Sequence, residues 1–297
     1  MFPSIGYALR EQNRLVVADE AAINGVEITF EQVGRRINCE SYLAGADFDY
    51  VSLHTVTLAP AGELTPADAQ LDALYEFAEA NKAHAISDHL GLARPAGDAC
   101  KFDSIAWTQD NLSRVCRNID RIQARFGARP FFLETIAHSC RMAGTMSEAE
   151  FLRRTFSRTG CGWLLDVANI YANALNFRFD PYAFIAEVVP AAGRVQLHLA
   201  GGYFDEDADR YVDSHSHAVP DPVWDLYRYA LRQAEGKLDA IFIERDQNFP
   251  DEAGWRAEIR KARRLAELIL LPRVRPARVE THSAGTHSPV MVLQSPE

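Results

Sequence analysis

His54 in YVSLHTV (50–56), His89 in HAISDH (84–89), Glu134 in PFFLET (130–135), Asp166 in GWLLDVA (162–168), His198 in RVQLHLA (194–200) and Glu244 in AIFIERD (240–246) all interrupt short apolar runs toward their C-terminal ends. A β-strand sends alternate side chains to one face. On that period Ser52 shares a face with His54, Ser87 with His89, Phe132 with Glu134, Leu164 with Asp166, Gln196 with His198, and Phe242 and Asp246 with Glu244. IGYAL (5–9) is the first of these runs, GVEITF (25–30) adds Glu27 and Thr29 as the second, and the opposite faces are mostly apolar. Just after the seventh run, RYVDSHSHAVP holds Asp213 and His215 two apart, so an extended loop can point both the same way. LLDVANIYANALN places Asn169 in the loop behind Asp166.

Each residue alone has an ordinary explanation. A single buried imidazole is more often a hydrogen-bonded core residue than a ligand. A buried carboxylate is often ion-paired, and a loop Asp–His pair is usually a turn. Together they demand more. Carboxylates crowded into one volume repel and raise one another's pKa values, and Arg10 and Arg245 are the nearest basic residues in these motifs. Metal cations resolve that conflict. Imidazole and carboxylate without thiolate favour iron, manganese or zinc, and the donors outnumber the needs of one ion, which implies two or three.

Such convergence needs a scaffold that brings several strand ends together. Amphipathic helical patterns lie between the runs at 66–82, 107–127, 147–160, 221–236 and 251–270. Ser147 with Glu150 forms a capping box, and Gly127, Gly160 and Gly236 act as helix stops. About eight strand–helix alternations over this length predict a (β/α)8 barrel of the TIM type spanning residues 1–271, with its site at the C-terminal ends of the strands. An open doubly wound sheet would be expected to carry a Gly-rich phosphate loop after its first strand, and none appears. The first connections are the least helical in pattern. From 272 to 297 scattered prolines and lost periodicity predict a Pro-rich tail, in which His282 and His287 are expected to be solvated.

The chain has 297 residues, 47% of them hydrophobic, and a net charge of -10. That charge argues against nucleic acid or an anionic membrane surface as a partner. Five cysteines with wide spacing (Cys39, Cys100, Cys116, Cys140, Cys161) argue against a disulfide framework or zinc knuckle. The start MFPSIGYALREQ lacks the pattern of a signal peptide. No stretch approaches the roughly 18 to 20 apolar residues of a membrane span. The expected compartment is the cytoplasm.

The motifs SLHTVTL, SDHLGLA, FLETIAHS, GWLLDVANIYANALN, LHLAGG, VDSHSHAVPDPVWDLY and IERDQNFP resemble, in order and spacing, those of the multinuclear non-haem iron-dependent oxidative enzymes, the family that includes methanobactin biosynthesis protein B. The resemblance extends from about residue 4 to 270. It implies a barrel holding two or three iron ions, O2 as co-substrate, and oxidation of a ribosomally synthesised precursor peptide, often at cysteine. It also implies a small partner protein that binds the peptide's leader. Carried over by motif, His54, His89 and Glu134 resemble the ligands of one iron, with Glu134 suited to bridging. Asn169, His198 and Glu244 resemble those of a second, and Asp166, Asp213 and His215 would serve a third or support the second. Glu134, His198 and Asp213 are the expected catalytic residues. The chain departs from the family pattern at Thr55, Thr135 and Arg245, all beside expected ligands.

Two other classes remain open on the residues alone: a divalent-metal barrel hydrolase or sugar isomerase, and a non-catalytic peptide-binding scaffold. A nuclease would call for a basic groove, which the net charge disfavours. An isomerase would call for a lysine near the site. A scaffold has no need to keep the full donor set.

Overall fold

The computed structural model describes residues 1–32, 47–96 and 99–272. Cys39, His282, His287 and nearly all of the expected tail lie outside them.

Eight parallel strands close into a barrel: β1 (Ser4–Ala8), β2 (Gly25–Thr29), β3 (Tyr50–His54), β4 (Ala85–His89), β7 (Phe131–Glu134), β8 (Gly162–Asp166), β9 (Val195–Leu199) and β12 (Leu238–Ile243). Their order around the barrel is β1-β12-β9-β8-β7-β4-β3-β2, with β2 closing back on β1. The chain is therefore a TIM-type barrel, as its sequence predicts. All eight expected strands are present.

Helices form the outer layer. These are α1 (Arg14–Asp19), α2 (Asp68–Ala80), α3 (Gln109–Phe126), α4 (Glu148–Thr159), α5 (Val167–Phe177), α6 (Pro181–Val188), α7 (Asp221–Gln233) and α8 (Glu252–Leu270). The Ser147 hydroxyl caps α4 by accepting from the Glu150 N–H, and Gly160 ends it in the left-handed conformation at φ 68°. Outward strand residues such as Val26, Leu53, Ile86, Leu133, Trp163, Leu165, Leu197 and Ile241 are buried beneath this layer. The weak helical pattern of the first connection has a structural counterpart: α1 has six residues and follows a single 3-10 turn.

Two antiparallel hairpins, absent from the sequence-based expectation, complete the fold. One pairs β5 (Leu92–Ala96) with β6 (Ala99–Asp103), and the other pairs β10 (Gly201–Asp205) with β11 (Arg210–His217). Both follow the C-terminal ends of barrel strands, where a TIM barrel carries its site loops.

Inside, the barrel is layered by polarity. Ala85, Phe132 and Leu164 form a separate apolar cluster with Tyr50 packed against it. Gly162 makes room for this floor, since a Cβ there would stand 2.4 Å from the Phe132 ring. One strand period further on, the inward residues become His54, Glu134 and Asp166. The floor thus closes the barrel beneath the polar mouth.

Candidate metal centre

Strand ends deliver most of the expected donors. His54 and His89 end β3 and β4, Glu134 ends β7, Asp166 ends β8, and His198 lies within β9. Glu244 follows β12 directly and is held in register by its N–H donating to the Leu199 carbonyl at 2.9 Å. Asn169 lies in the first turn of α5 rather than in a loop. α5 starts straight after β8 because Asp166 is its N-cap: Oδ1 accepts from the N–H groups of Ala168 (2.7 Å) and Asn169 (3.0 Å).

Asp213 and His215 also differ from expectation, lying on β11 of a hairpin rather than in an extended loop. Tyr203 pairs with Val212 and Gly201 with His217, so two steps along β10 face five along β11. The surplus residues bulge from the ribbon and re-aim Asp213 and His215. His215 takes a left-handed φ of 50°, a conformation that costs a non-glycine residue of order 1–3 kcal/mol and persists only where its surroundings fix it. The Asp246 N–H donates to its carbonyl at 2.7 Å.

The imidazoles and carboxylates meet in two overlapping groups, His54–His89–Glu134 and Glu134–Asp166–His198–Glu244; in each, the potential ligand atoms lie within 4.8 Å of one another. Glu134 belongs to both. Its Oε2 is 3.6 Å from His54 Nε2 and 3.3 Å from His89 Nε2, while Oε1 is 3.7 Å from His198 Nδ1. Glu244 Oε2 is 3.1 Å from His198 Nδ1 and 3.2 Å from His215 Nδ1. His215 Nε2 is 3.1 Å from Asp213 Oδ2 and 3.6 Å from Asp166 Oδ2. All the expected donors are therefore at the mouth, with Asn169 anchored beside them by its Nδ2 donating to the Thr135 carbonyl at 3.0 Å.

Buried polar atoms normally have hydrogen-bond partners. Here Glu134 Oε2, Asp166 Oδ2, Asn169 Oδ1, His198 Nδ1 and Asp213 Oδ1 have none among the described residues. Partnerless buried atoms also occur elsewhere, as at Trp163 Nε1 and Trp255 Nε1, but these five are oxygens and a nitrogen of candidate ligands gathered at one mouth, where a shared cation would offset the cost of leaving them unpaired. Hard oxygen and borderline nitrogen donors without sulfur fit a first-row divalent ion such as iron, manganese or zinc.

Neighbouring charges set the ionisation of the cluster. Burial disfavours the charged form of every member. For His198 the carboxylates of Glu27 and Glu244 outweigh it and raise the imidazole well above 6.5. For His215 Asp213 and Glu244 do the same, and Glu134 with Asp88 lifts His89 to about 9. Burial is likewise overcome at Glu134, which His89 and His198 bring down to about 2, and at Glu244, which His198 and His215 hold well below its usual value. At Asp166 burial prevails over His215 and, helped by Asp213 and Glu134, pushes the carboxyl up to about 7. These shifts favour the protonated imidazoles beside ionised Glu134 and Glu244, and metal binding would have to displace such protons.

A supporting layer holds the donors in place. His54 Nδ1 is 2.9 Å from Ser87 Oγ, and Phe102 of β6 stacks on His89 at 3.9 Å between ring centroids. Asp88, buried on the outward face of β4, accepts from Thr55 Oγ1 and the Leu58 N–H and approaches His89 Nδ1 at 3.4 Å. Thr55, one of the departures from the family pattern, thereby steadies the carboxylate behind His89. Arg10 lies 3.3 Å from Glu244 Oε1 and 2.8 Å from Asp246 Oδ1. Arg245 instead turns to the Ser216 and Asn248 carbonyls and to Glu258, so of the two basic residues expected nearby only Arg10 faces the carboxylates of the cluster. Neither Asp88 nor Glu27 is among the expected site residues. Glu27 was detectable from its inward position on β2, whereas Asp88 lies on the face assigned to the helix layer.

A closed parallel barrel with imidazoles and carboxylates gathered at its C-terminal mouth defines a TIM-barrel protein with the donor set of a metalloenzyme. The family model described as RiPP precursor modification enzyme MbnB/TglH/ChrH matches residues 4–267, and the chain belongs to that family. It is similar to the UPF0276 protein of Bordetella pertussis, 39% identical over 216 residues, covering 70% of this chain and 72% of the relative. A UPF0276 protein of Pseudomonas aeruginosa is 31% identical over 205 residues, covering 69% and 70%. Among solved structures, D-psicose 3-epimerase from Clostridium cellulolyticum superposes with a TM-score of 0.58 at 12% identity, covering 90% of this chain and 99% of the epimerase. Mannonate dehydratase from Streptococcus suis gives 0.57 at 12%, covering 90% and 93%. Identities this low establish the shared barrel alone. The chain is therefore a TIM-barrel enzyme of a family that modifies ribosomally made precursor peptides.

Proposed function

We propose that this protein is an iron- and O2-dependent oxidase of a precursor-peptide side chain, with cysteine as the target. The observation that carries this reading is the set of five unpaired, buried donor atoms on candidate ligands at the mouth of a barrel whose family acts on precursor peptides. His54, His89 and Glu134 would hold one iron, and Glu134, His198 and Glu244, with Asn169 beside them, a second. Asp166, Asp213 and His215 would hold a third or support the second; the closeness of Asp166 to Glu134, His198 and Glu244 favours the supporting role. When bound, ferrous iron with open positions supplies O2 activation and lowers the pKa of a thiol ligand.

The chain's own residues fix the geometry. Glu134 spans the two groups, Arg10 occupies Oε1 of Glu244 and leaves Oε2 to the imidazoles, and Phe102 closes one side of His89. The precursor peptide would enter over the two hairpins, delivered by a leader-binding partner protein. No helix among the described residues is long and apolar enough to cross a membrane.

The test is anaerobic reconstitution with ferrous iron, followed by oxygen uptake in the presence of a cysteine-containing peptide encoded beside the gene. The expected result is iron binding, peptide-dependent O2 consumption and a mass change confined to the peptide. Stable zinc binding without oxygen uptake would favour a hydrolase instead.

Two variants separate site from scaffold. Asp166→Asn keeps an oxygen to cap α5 but removes the carboxylate facing His215, so metal content should fall while the chelated protein keeps its helix cap. Asp166→Ala should lose the cap as well, at a cost of about 1 kcal/mol. Metal analysis and urea denaturation distinguish the two. Deleting residues from Pro276 onward should leave metal content unchanged, because every candidate ligand lies between His54 and Glu244.

A further inference from the structure

His198 stands apart from the other imidazoles in the way it faces the cluster. His54 and His89 turn Nε2 toward Glu134, whereas His198 turns Nδ1 toward Glu134 and Glu244. Its Nε2 points across the barrel to Glu27 Oε2 at 3.0 Å, and both side chains are fully buried. We propose that Glu27 is the positioning residue that makes His198 a metal donor through Nδ1. This rests on the reading that the cluster holds divalent metal.

A neutral imidazole carries one N–H and one lone pair, and the partner of one nitrogen decides the role of the other. With the proton on Nε2, His198 donates to Glu27, and the Nδ1 lone pair faces the space between Glu134 and Glu244. With the proton on Nδ1, the Nε2 lone pair would face a carboxylate oxygen 3.0 Å away in a site closed to water, and the two would repel. Glu27 therefore selects the tautomer. Nδ1 has no hydrogen-bond partner among the described residues despite two carboxylates within 3.7 Å, as expected of an atom aimed at an ion.

Glu27 is committed to this contact. Its other oxygen, Oε1, is buried with no hydrogen-bond partner among the described residues. An uncompensated buried oxygen is an expense that a packing role would avoid, since a leucine would fill similar space. A carboxylate behind a metal-bound imidazole fixes the ring and makes it a stronger donor, and losing such a partner typically costs 10- to 100-fold in metal affinity.

The experiment uses the full chain, with zinc as a diamagnetic probe. Long-range proton–nitrogen spectra of histidine-labelled protein should show His198 protonated at Nε2 and zinc-bound at Nδ1. Competition with a chromophoric chelator should show zinc affinity about tenfold lower in Glu27→Gln, which keeps the shape and loses the charge, and roughly 100-fold lower in Glu27→Leu. A purely structural role would lower the melting temperature of the metal-free variants and leave both tautomer and affinity as in wild type. Zinc bound through Nε2 of His198, or equal affinity in wild type and Glu27→Gln, overturns the role of Glu27 while the metal reading stands. Wild-type protein that takes up neither zinc nor iron overturns the metal reading itself.

Discussion

Glu134→Gln is expected to release both groups of ligands at once. The Glu134 carboxylate faces His54 and His89 with one oxygen and His198 with the other, and it is the one residue common to the two candidate ion groups. Glutamine has nearly the same shape, but it exchanges one acceptor for an NH2 that must point at imidazole nitrogens on one side or the other. It also removes the charge that two or more dications would share. Metal content measured by mass spectrometry should fall to less than about a tenth of wild type under competition with a chelator. Peptide-dependent turnover should drop by at least roughly 10³-fold, which corresponds to about 4 kcal/mol of lost transition-state stabilisation. The far-ultraviolet spectrum should not change, because Glu134 is the last residue of β7 and the barrel below it is held by its own apolar floor. Arg245→Ala, one residue from a candidate ligand but turned to the Ser216 and Asn248 carbonyls, should retain metal. Full metal content and turnover in Glu134→Gln would refute the bridging role.

The period-two alternation made most of this site legible, because a barrel strand has one inward face and its last inward residue sits at the mouth. His54, His89, Glu134, Asp166, His198 and Glu244 follow from that rule alone. Three features escaped it. The helix α5 was hidden because Asp166 ends a strand and caps a helix at the same position, leaving no turn residues between them to mark the change. The hairpin β10–β11 was hidden because its ribbon contains a wide register shift that no local periodicity announces. Its bulge depends on tertiary clamps such as the Asp246 N–H on the His215 carbonyl. Asp88 was missed for the opposite reason: it obeys the alternation, pointing outward with the apolar residues, yet bends back through the chain after β3 to support His89. Supporting residues of this kind are set by distant contacts, which is why strand pattern finds donors more readily than the groups behind them.

Removing metal should destabilise the whole barrel. The candidate ligands come from β3, β4, β7, β8, β9 and β11, from the first turn of α5, and from the residue after β12. An ion cluster bound there would tie together strands far apart in sequence, and unfolding would have to release it. A ligand bound only by the native state adds RT ln(1 + [L]/Kd), about 4 kcal/mol at a thousandfold excess over Kd. For a chain of this size each kcal/mol moves the melting temperature by about 1.5–2 °C, so the loaded protein should melt roughly 6–8 °C above the chelated one. Without metal, the raised pKa values of His89 and His215 would keep both imidazoles charged beside their carboxylates. Scanning calorimetry with graded ferrous iron or zinc should therefore give a melting temperature that climbs with free metal concentration. His198→Ala should flatten that climb more than it lowers the melting temperature of the chelated protein. A melting temperature indifferent to metal in wild type would mean that the unpaired donors at the mouth are held by protons alone.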